Sequence, residues 1–239
     1  ACSASFVADG RESAVIGITE QLIGTRCFGA SGFRYCGNIL PLQDLLDPAA
    51  GAAILEKVRR LASILTRTYG LTGVNGVDFI LHEGEVVATE VNPRYSASME
   101  LIERAHALSV FDLHAAAATK SRLPRVIPDL LRAEGFFAKA ILFAEMNAVA
   151  PDTKGWLDRN VRDVPAGGEK LLEGSPVCTV LSRGATREAA LAGLMREAER
   201  LKEEIYGESA SHPDHGKIHR AGHGNFEGQG ASGVPGGDR

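Results

Sequence analysis

The sequence predicts an α+β fold: an antiparallel sheet with flanking helices, followed by a small β-rich subdomain carrying one helix. Three observations predict it. Strand-like alternation recurs on both sides of the short turns "ADGRE" and "HEGE", as in hairpins. Residues 48–68 carry Ile54, Leu55, Val58, Leu61, Ala62 and Leu65 at helical spacing. Beyond a Pro-containing linker, short strand-like runs are joined by Gly/Pro turns and end in a single helical stretch.

The elements follow in order. Residues 3–8 and 13–20 alternate around Asp9-Gly10, a hairpin signal. "GTRCFGASGFRYCGNILPL" is too rich in glycine for a helix and reads as a loop with short strands. The helix over 48–68 has Pro48 near its start. "VDFIL" and "VVATEV" are strands of a second hairpin, and "MELIERAHALSVFDLHAAAATK" is mostly helix. "FFAKAILFAE" alternates like a strand, and residues 186–205 form a helix that Thr186 can cap, with Glu188 and Glu197 toward solvent. The expected organisation is a sheet-and-helix unit at 1–118, a linker at 119–134, a small β-rich unit at 135–206 and a disordered Gly/His-rich tail at 207–239. Glycines argue against a helical metal site from His212, His215, His219 and His223 in that tail.

Length and charge narrow the function. At 239 residues the chain can bury a sizeable core. A net charge of -4 argues against nucleic acid as a partner. No apolar run approaches the roughly 20 residues that span a bilayer. Cys2, Cys27, Cys36 and Cys178 form no CxxC pair and read as free thiols of a reducing, cytoplasmic setting. The chain opens at Ala1 already inside a strand, as a fragment would. A homo-oligomer is left open.

The stretch that carries chemistry is "VVATEVNPRYSASME", residues 86–100. It begins apolar, then places Glu90, Asn92 and Arg94 at alternate positions, which a strand points to one face. Asp78 lies on the preceding strand. A two-residue loop, Glu83-Gly84, pairs Asp78 with Thr89 and sends Glu90 to the other face. A three-residue loop, His82-Glu83-Gly84, pairs Asp78 with Ala88 and makes Glu90 its diagonal neighbour. Gly84 at the last, left-handed position favours the longer loop. The expectation is therefore Asp78, Glu90 and Asn92 on one face, with Val77, Phe79, Val87, Thr89 and Val91 toward the core. Two carboxylates and an amide oxygen suit Mg²⁺, which keeps other positions for water and phosphate. Arg94 would face the same pocket as a clamp for a transferring phosphoryl group.

These residues also carry a resemblance. "GLTGVNGVDFILHEGEVVATEVNPRYSASME" resembles the end of an ATP-grasp domain, and "SASFVADGRESAVIGITEQLIG" with "FRYCGNILPL" is similar to the strands and Gly-rich turn of that domain's C-terminal lobe. It covers roughly residues 1–118. "DVPAGGEKLLEGSPVCTVLSRGATREAAL" resembles the small β-rich domain that follows the grasp in carboxylases and purine-pathway relatives. "FRYCGNILPL" and "NPRYSASMELIERA" look nearest to ATP-grasp proteins of methanopterin-linked one-carbon metabolism. The resemblance implies that Asp78, Glu90 and Asn92 are the magnesium ligands that also bind the nucleotide's phosphates, and that Arg94 is catalytic. It implies ATP and Mg²⁺, or Mn²⁺, as cofactors. The activity it implies is that of a carboxylate–amine ligase acting through an acyl phosphate, of which this chain is the C-terminal portion, with small-molecule carboxylate and amine substrates. The family's first grasp lobe, with its phosphate-binding lysine, is expected to lie outside this chain. A non-catalytic nucleotide-binding module and an ATP-grasp kinase are the alternatives.

Other residues read as structural. Lys139 is expected at the surface, Ser96 and Ser98 as caps of the helix at 99, and Glu100, Arg104 and His114 in helix packing or at the surface. Arg26 and Arg34 could equally reach an anion or solvent.

Overall fold

Even-numbered residues of the first strand (Cys2, Ala4, Phe6, Ala8) are apolar and buried on one face, while Ser3, Ser5 and Val7 point to the other. That alternation builds a sheet covered on both sides. The structure, a computed structural model, describes residues 1–42, 47–124 and 133–207. The histidines of the tail and the middle of the expected linker lie outside the described residues.

Eight strands form one antiparallel sheet: β1 Cys2–Asp9, β2 Ser13–Ile23, β3 Tyr35–Leu40, β4 Thr72–His82, β5 Glu85–Asn92, β6 Phe136–Phe143, β8 Val161–Arg162 and β10 Pro176–Gly184. Their order is β5-β4-β1-β2-β3-β6-β10-β8. Strands β7 Ala148–Val149 and β9 Lys170–Leu171 pair separately. The α+β class read from the sequence is the one observed. The units expected at 1–118 and 135–206 are joined by β3–β6 pairing, from Gly37 opposite Ala140 to Leu40 opposite Phe137.

Helix α1 (Pro48–Tyr69) packs Ile54, Val58 and Ala62 against Phe6, Val77 and Phe79. Asp47 caps it, accepting from the amides of Ala49 and Ala50 at 2.9 and 3.0 Å. Helices α2 (Met99–His106) and α3 (Val110–Lys120) cover the opposite face through Met99, Leu101, Ile102 and Val110 against Val7, Ile16 and Val74. Gly17 makes that docking possible, because a Cβ there would lie 2.6 Å from the Ile102 side chain. Helix α4 (Arg187–Tyr206) buries Ala190, Leu194, Ala198 and Leu201 against β6 and β10. Its capping Thr186 accepts from the Ala189 amide at 3.1 Å, as the sequence suggests.

Glu197 is a correction. It lies 3.1 Å from Arg159 and is not directed to solvent, because α4 turns it toward the loop before β8. All four cysteines are free. Burial pushes the Cys2 thiol up to about 11 and the Cys178 thiol up to about 12.

Candidate functional site

The β4–β5 hairpin decides where the acids go. Its turn is two residues long, Glu83-Gly84, with His82 opposite Glu85 and both turn residues at positive φ (49° and 76°). The three-residue loop expected from Gly84 is not formed. Left-handed backbone at both central positions is the type I′ arrangement, whose twist matches the strands. A regular ladder from that turn would separate Asp78 from Glu90. Instead the register shifts: Phe79 is opposite Ala88 and Asp78 is opposite Glu90, which leaves Thr89 unpaired as a β-bulge.

The bulge has an apolar cause. Val86, opposite Leu81, and Val91, opposite Val77, both pack on the α1 side. Five positions apart, they cannot share a face in a regular strand. The extra residue reconciles them. Val87 is therefore not on the core face as expected; it is 53% exposed beside Ile80. Thr89 lines the cleft on the polar side. Asp78 and Glu90 still share a face, as expected, but as direct partners and through a different geometry.

Asn92 sits opposite Gly76 on the same face and is 8% exposed. Its amide nitrogen donates to Asp78 Oδ2 at 3.5 Å, and its oxygen accepts from Arg94 Nη2 at 3.0 Å. Arg94 also donates to the Tyr95 carbonyl at 3.3 Å. Glu90, Asp78, Asn92 and Arg94 thus line one cleft of about 390 Å³, together with Ser3, Gln21, Tyr35 and Asn38.

The register extends this into a polar row. Asp78 is opposite Ser3, Ser3 opposite Thr19, Gln21 opposite Asn38, and Asn38 opposite Lys139. Directly opposite residues share a face, so polar side chains run from β5 to β6 on one side of the sheet. Asn38 donates to Thr19 Oγ1 at 2.9 Å and accepts from the Tyr35 hydroxyl. Burial, followed by the charge of Asp78, pushes the Tyr35 phenol above its ordinary value. It is therefore a neutral donor at any physiological pH.

Lys139 closes the row and is a second correction. It is 6% exposed and donates to Glu100 Oε2 at 2.7 Å; it is not a surface lysine. Its place on a central strand buries the stem, and Glu100 on α2 supplies the countercharge. Glu100 also takes Arg104 at 3.1 Å. Burial pushes the Glu100 carboxyl up, but the bonds and charges of Lys139 and Arg104 outweigh it and hold the group below the usual range.

Ser98 does occupy the N-cap of α2, yet it makes no capping bond. It has helical backbone, and its hydroxyl lies 3.1 Å from Ser96 Oγ and 3.4 Å from Ser5 Oγ. His114 packs over Gly73, where its Nδ1 accepts from the Val74 amide at 3.2 Å. Arg34 donates to the Gly174 carbonyl at 2.8 Å and stacks over Phe143. Reading from the motif alone missed Ser3, Gln21, Tyr35 and Asn38. The signal that could have found them is the run of polar residues at alternate positions in otherwise apolar strands.

The comparisons with known proteins bear on this geometry. Residues 1–98 match the family model of an ATP-grasp domain. That segment contains Asp78, Glu90, Asn92 and Arg94. The fold is similar to that of several solved structures. L-amino acid ligase from Bacillus licheniformis superposes with a TM-score of 0.63 at 15% identity, over 86% of this chain and 50% of that one. Phosphoribosylamine–glycine ligase from Thermotoga maritima does so at 0.58 and 16%, over 85% and 52%. The biotin carboxylase domain of the 2-oxoglutarate carboxylase of Hydrogenobacter thermophilus, in complex with MgADP, ADP and bicarbonate, gives 0.55 and 16%, over 83% and 44%. The chain spans about half the length of these three. No curated protein matches its sequence. Among the described residues, no helix is long and apolar enough to cross a membrane.

Proposed function

We propose that this chain carries the metal-phosphate half of an ATP- and Mg²⁺-dependent carboxylate–amine ligase that works through an acyl phosphate. The observation that carries the reading is the direct opposition of Asp78 and Glu90 across β4 and β5, with Asn92 and Arg94 on the same cleft. Two facing carboxylates repel each other in a sheet. A cation between them would turn that cost into affinity.

The donor set fits Mg²⁺. Among the described residues no three His, Cys, Asp or Glu side chains converge. The chain would thus offer two carboxylates and leave the other positions to water and phosphate oxygens, as this ion prefers. Asn92 can add its amide oxygen, which has a second lone pair beside the one Arg94 uses. The ion would supply electrostatic neutralisation of the phosphate oxygens. Arg94, held by Asn92 and the Tyr95 carbonyl, keeps N–H donors for the charge that grows on a phosphoryl group in transfer. The Tyr35 hydroxyl, which donates to Asn38, can accept a hydrogen bond beside it.

The comparisons support this at the level of fold and of the ATP-grasp match over residues 1–98. The substrates, a small carboxylate and a small amine, belong to the proposal, as do Mn²⁺ as a substitute and a cytoplasmic location. So does placement in methanopterin-linked one-carbon metabolism, which rests on "FRYCGNILPL" and "NPRYSASMELIERA". The test is phosphate release from ATP by the full-length protein across carboxylates and amines, with amide product read by mass spectrometry. Glu90→Gln should abolish Mg²⁺-dependent release. Release without an amide would sink the ligase reading.

A further inference from the structure

The sheet face that carries the polar row does not end at Lys139. Beyond it, on β6, β10 and α2, a second cleft of about 320 Å³ opens. Leu101, Phe137 and Leu181 line it with apolar surface, and Arg104, Arg183 and Asn160 supply its polar groups. Leu181 is opposite Lys139 on the ladder, so this cleft and the first share one face of one sheet. The wall between them is the register pair Asn38–Lys139 and the Glu100 that holds Lys139.

The charges there do not balance. Arg104 and Lys139 both bind Glu100, while Arg183 donates to the Glu134 carbonyl, a neutral group, and lies over the Phe137 ring. Among the described residues, Arg104 and Lys139 thus share one carboxylate, and Arg183 is paired with none. Among the described residues, Arg104 gives two of its five N–H donors to Glu100, and Arg183 gives one to the Glu134 carbonyl. The spare donors stand beside an apolar lining. That combination selects an apolar body with an anionic head.

We infer that the second cleft binds the carboxylate of a small organic acid whose apolar body lies on Leu101, Phe137 and Leu181. The inference stands on residues separate from those of the ligase reading.

The experiment is an NMR titration of the isotope-labelled chain with hexanoate, hexylamine and inorganic phosphate, without metal or nucleotide. Hexanoate should shift the amides of Phe137 and Leu181 and the Asn160 side chain in a saturable way. Arg183→Gln should weaken it by about fivefold, the upper range for one exposed ion pair. No saturable shift, an equal response to hexylamine or to phosphate, or unchanged affinity in Arg183→Gln would each overturn the inference. A parallel Mn²⁺ titration reads Asp78 and Glu90. If Mn²⁺ fails and hexanoate binds, the ligase reading falls and the carboxylate site stands; the reverse result sinks only the site.

Discussion

Asp78 and Glu90 are direct partners across β4 and β5 because Thr89 is bulged out of the ladder between them. The two-residue turn alone would have parted them. What brings them together is the need to bury both Val86 and Val91.

Deleting Thr89 tests this account. The shortened strand can run as a regular ladder from the Glu83-Gly84 turn, with Ala88 still opposite Phe79 and Glu90 still opposite Asp78. The deletion variant should fold and keep its Mn²⁺ affinity within about tenfold, or 1.4 kcal/mol, as read from the free-ion EPR signal. Loss of Mn²⁺ binding in a folded deletion variant would mean that the bulge itself shapes the site.

Removing one charge of the pair should separate binding from stability. Asp78→Asn relieves a like-charge opposition worth about 0.2–1 kcal/mol. In metal-free buffer it should unfold at equal or slightly higher urea than the parent, while losing Mn²⁺ binding. A drop of several kcal/mol in stability would show that Asp78 is a structural anchor and not a ligand held against repulsion.

Much of this was legible from the residues. The hairpin at Asp9-Gly10, helix α1 with Ile54, Val58 and Ala62 buried, and the Thr186 cap all follow from local chemistry and periodicity. The polar cluster was legible too, because Glu90, Asn92 and Arg94 break an apolar strand at alternate positions. What failed was register. A glycine at position 84 fits both a two-residue and a three-residue turn, and the five-residue spacing of Val86 and Val91 calls for a bulge without fixing the turn. The burial of Lys139 escapes the sequence for a different reason. Its neighbours Ala138 and Ala140 do not reveal that β6 lies between β3 and β10, nor that α2 brings Glu100 over it. Long-range pairing decides burial there, and no local window contains it.

The Glu100–Lys139 pair sets an acid limit on stability. The folded state holds the Glu100 carboxyl below its ordinary value, so its contribution is complete above the unfolded value, about 4.3, and is lost as pH falls through the folded one. Glu100→Gln should cost about 3–5 kcal/mol at pH 7, because it strands a buried ammonium. It should also flatten the loss of stability below pH ~4.3. Pairing Glu100→Leu with Lys139→Met should restore most of the loss. Urea denaturation at neutral and acid pH reads all three, and an unrestored double variant would show that the pair does more than neutralise itself.

Glu20 and Arg187 tie the two ends of the described chain. Arg187 opens α4 and donates from Nε and Nη2 to the two Glu20 oxygens on β2 at 2.7 and 2.6 Å. Both side chains are about one-fifth exposed (17% and 23%), so solvent screens the pair less than a surface bridge. The bidentate fork needs a planar guanidinium, which lysine lacks. Arg187→Ala should therefore destabilise by about 1.5–3 kcal/mol, the range for bonds to charged groups. Arg187→Lys should recover only part of it. In a double-mutant cycle with Glu20→Gln, measured by urea denaturation, the coupling should account for most of the loss. Additive effects would show that Arg187 acts through its packed stem on the sheet and not through Glu20.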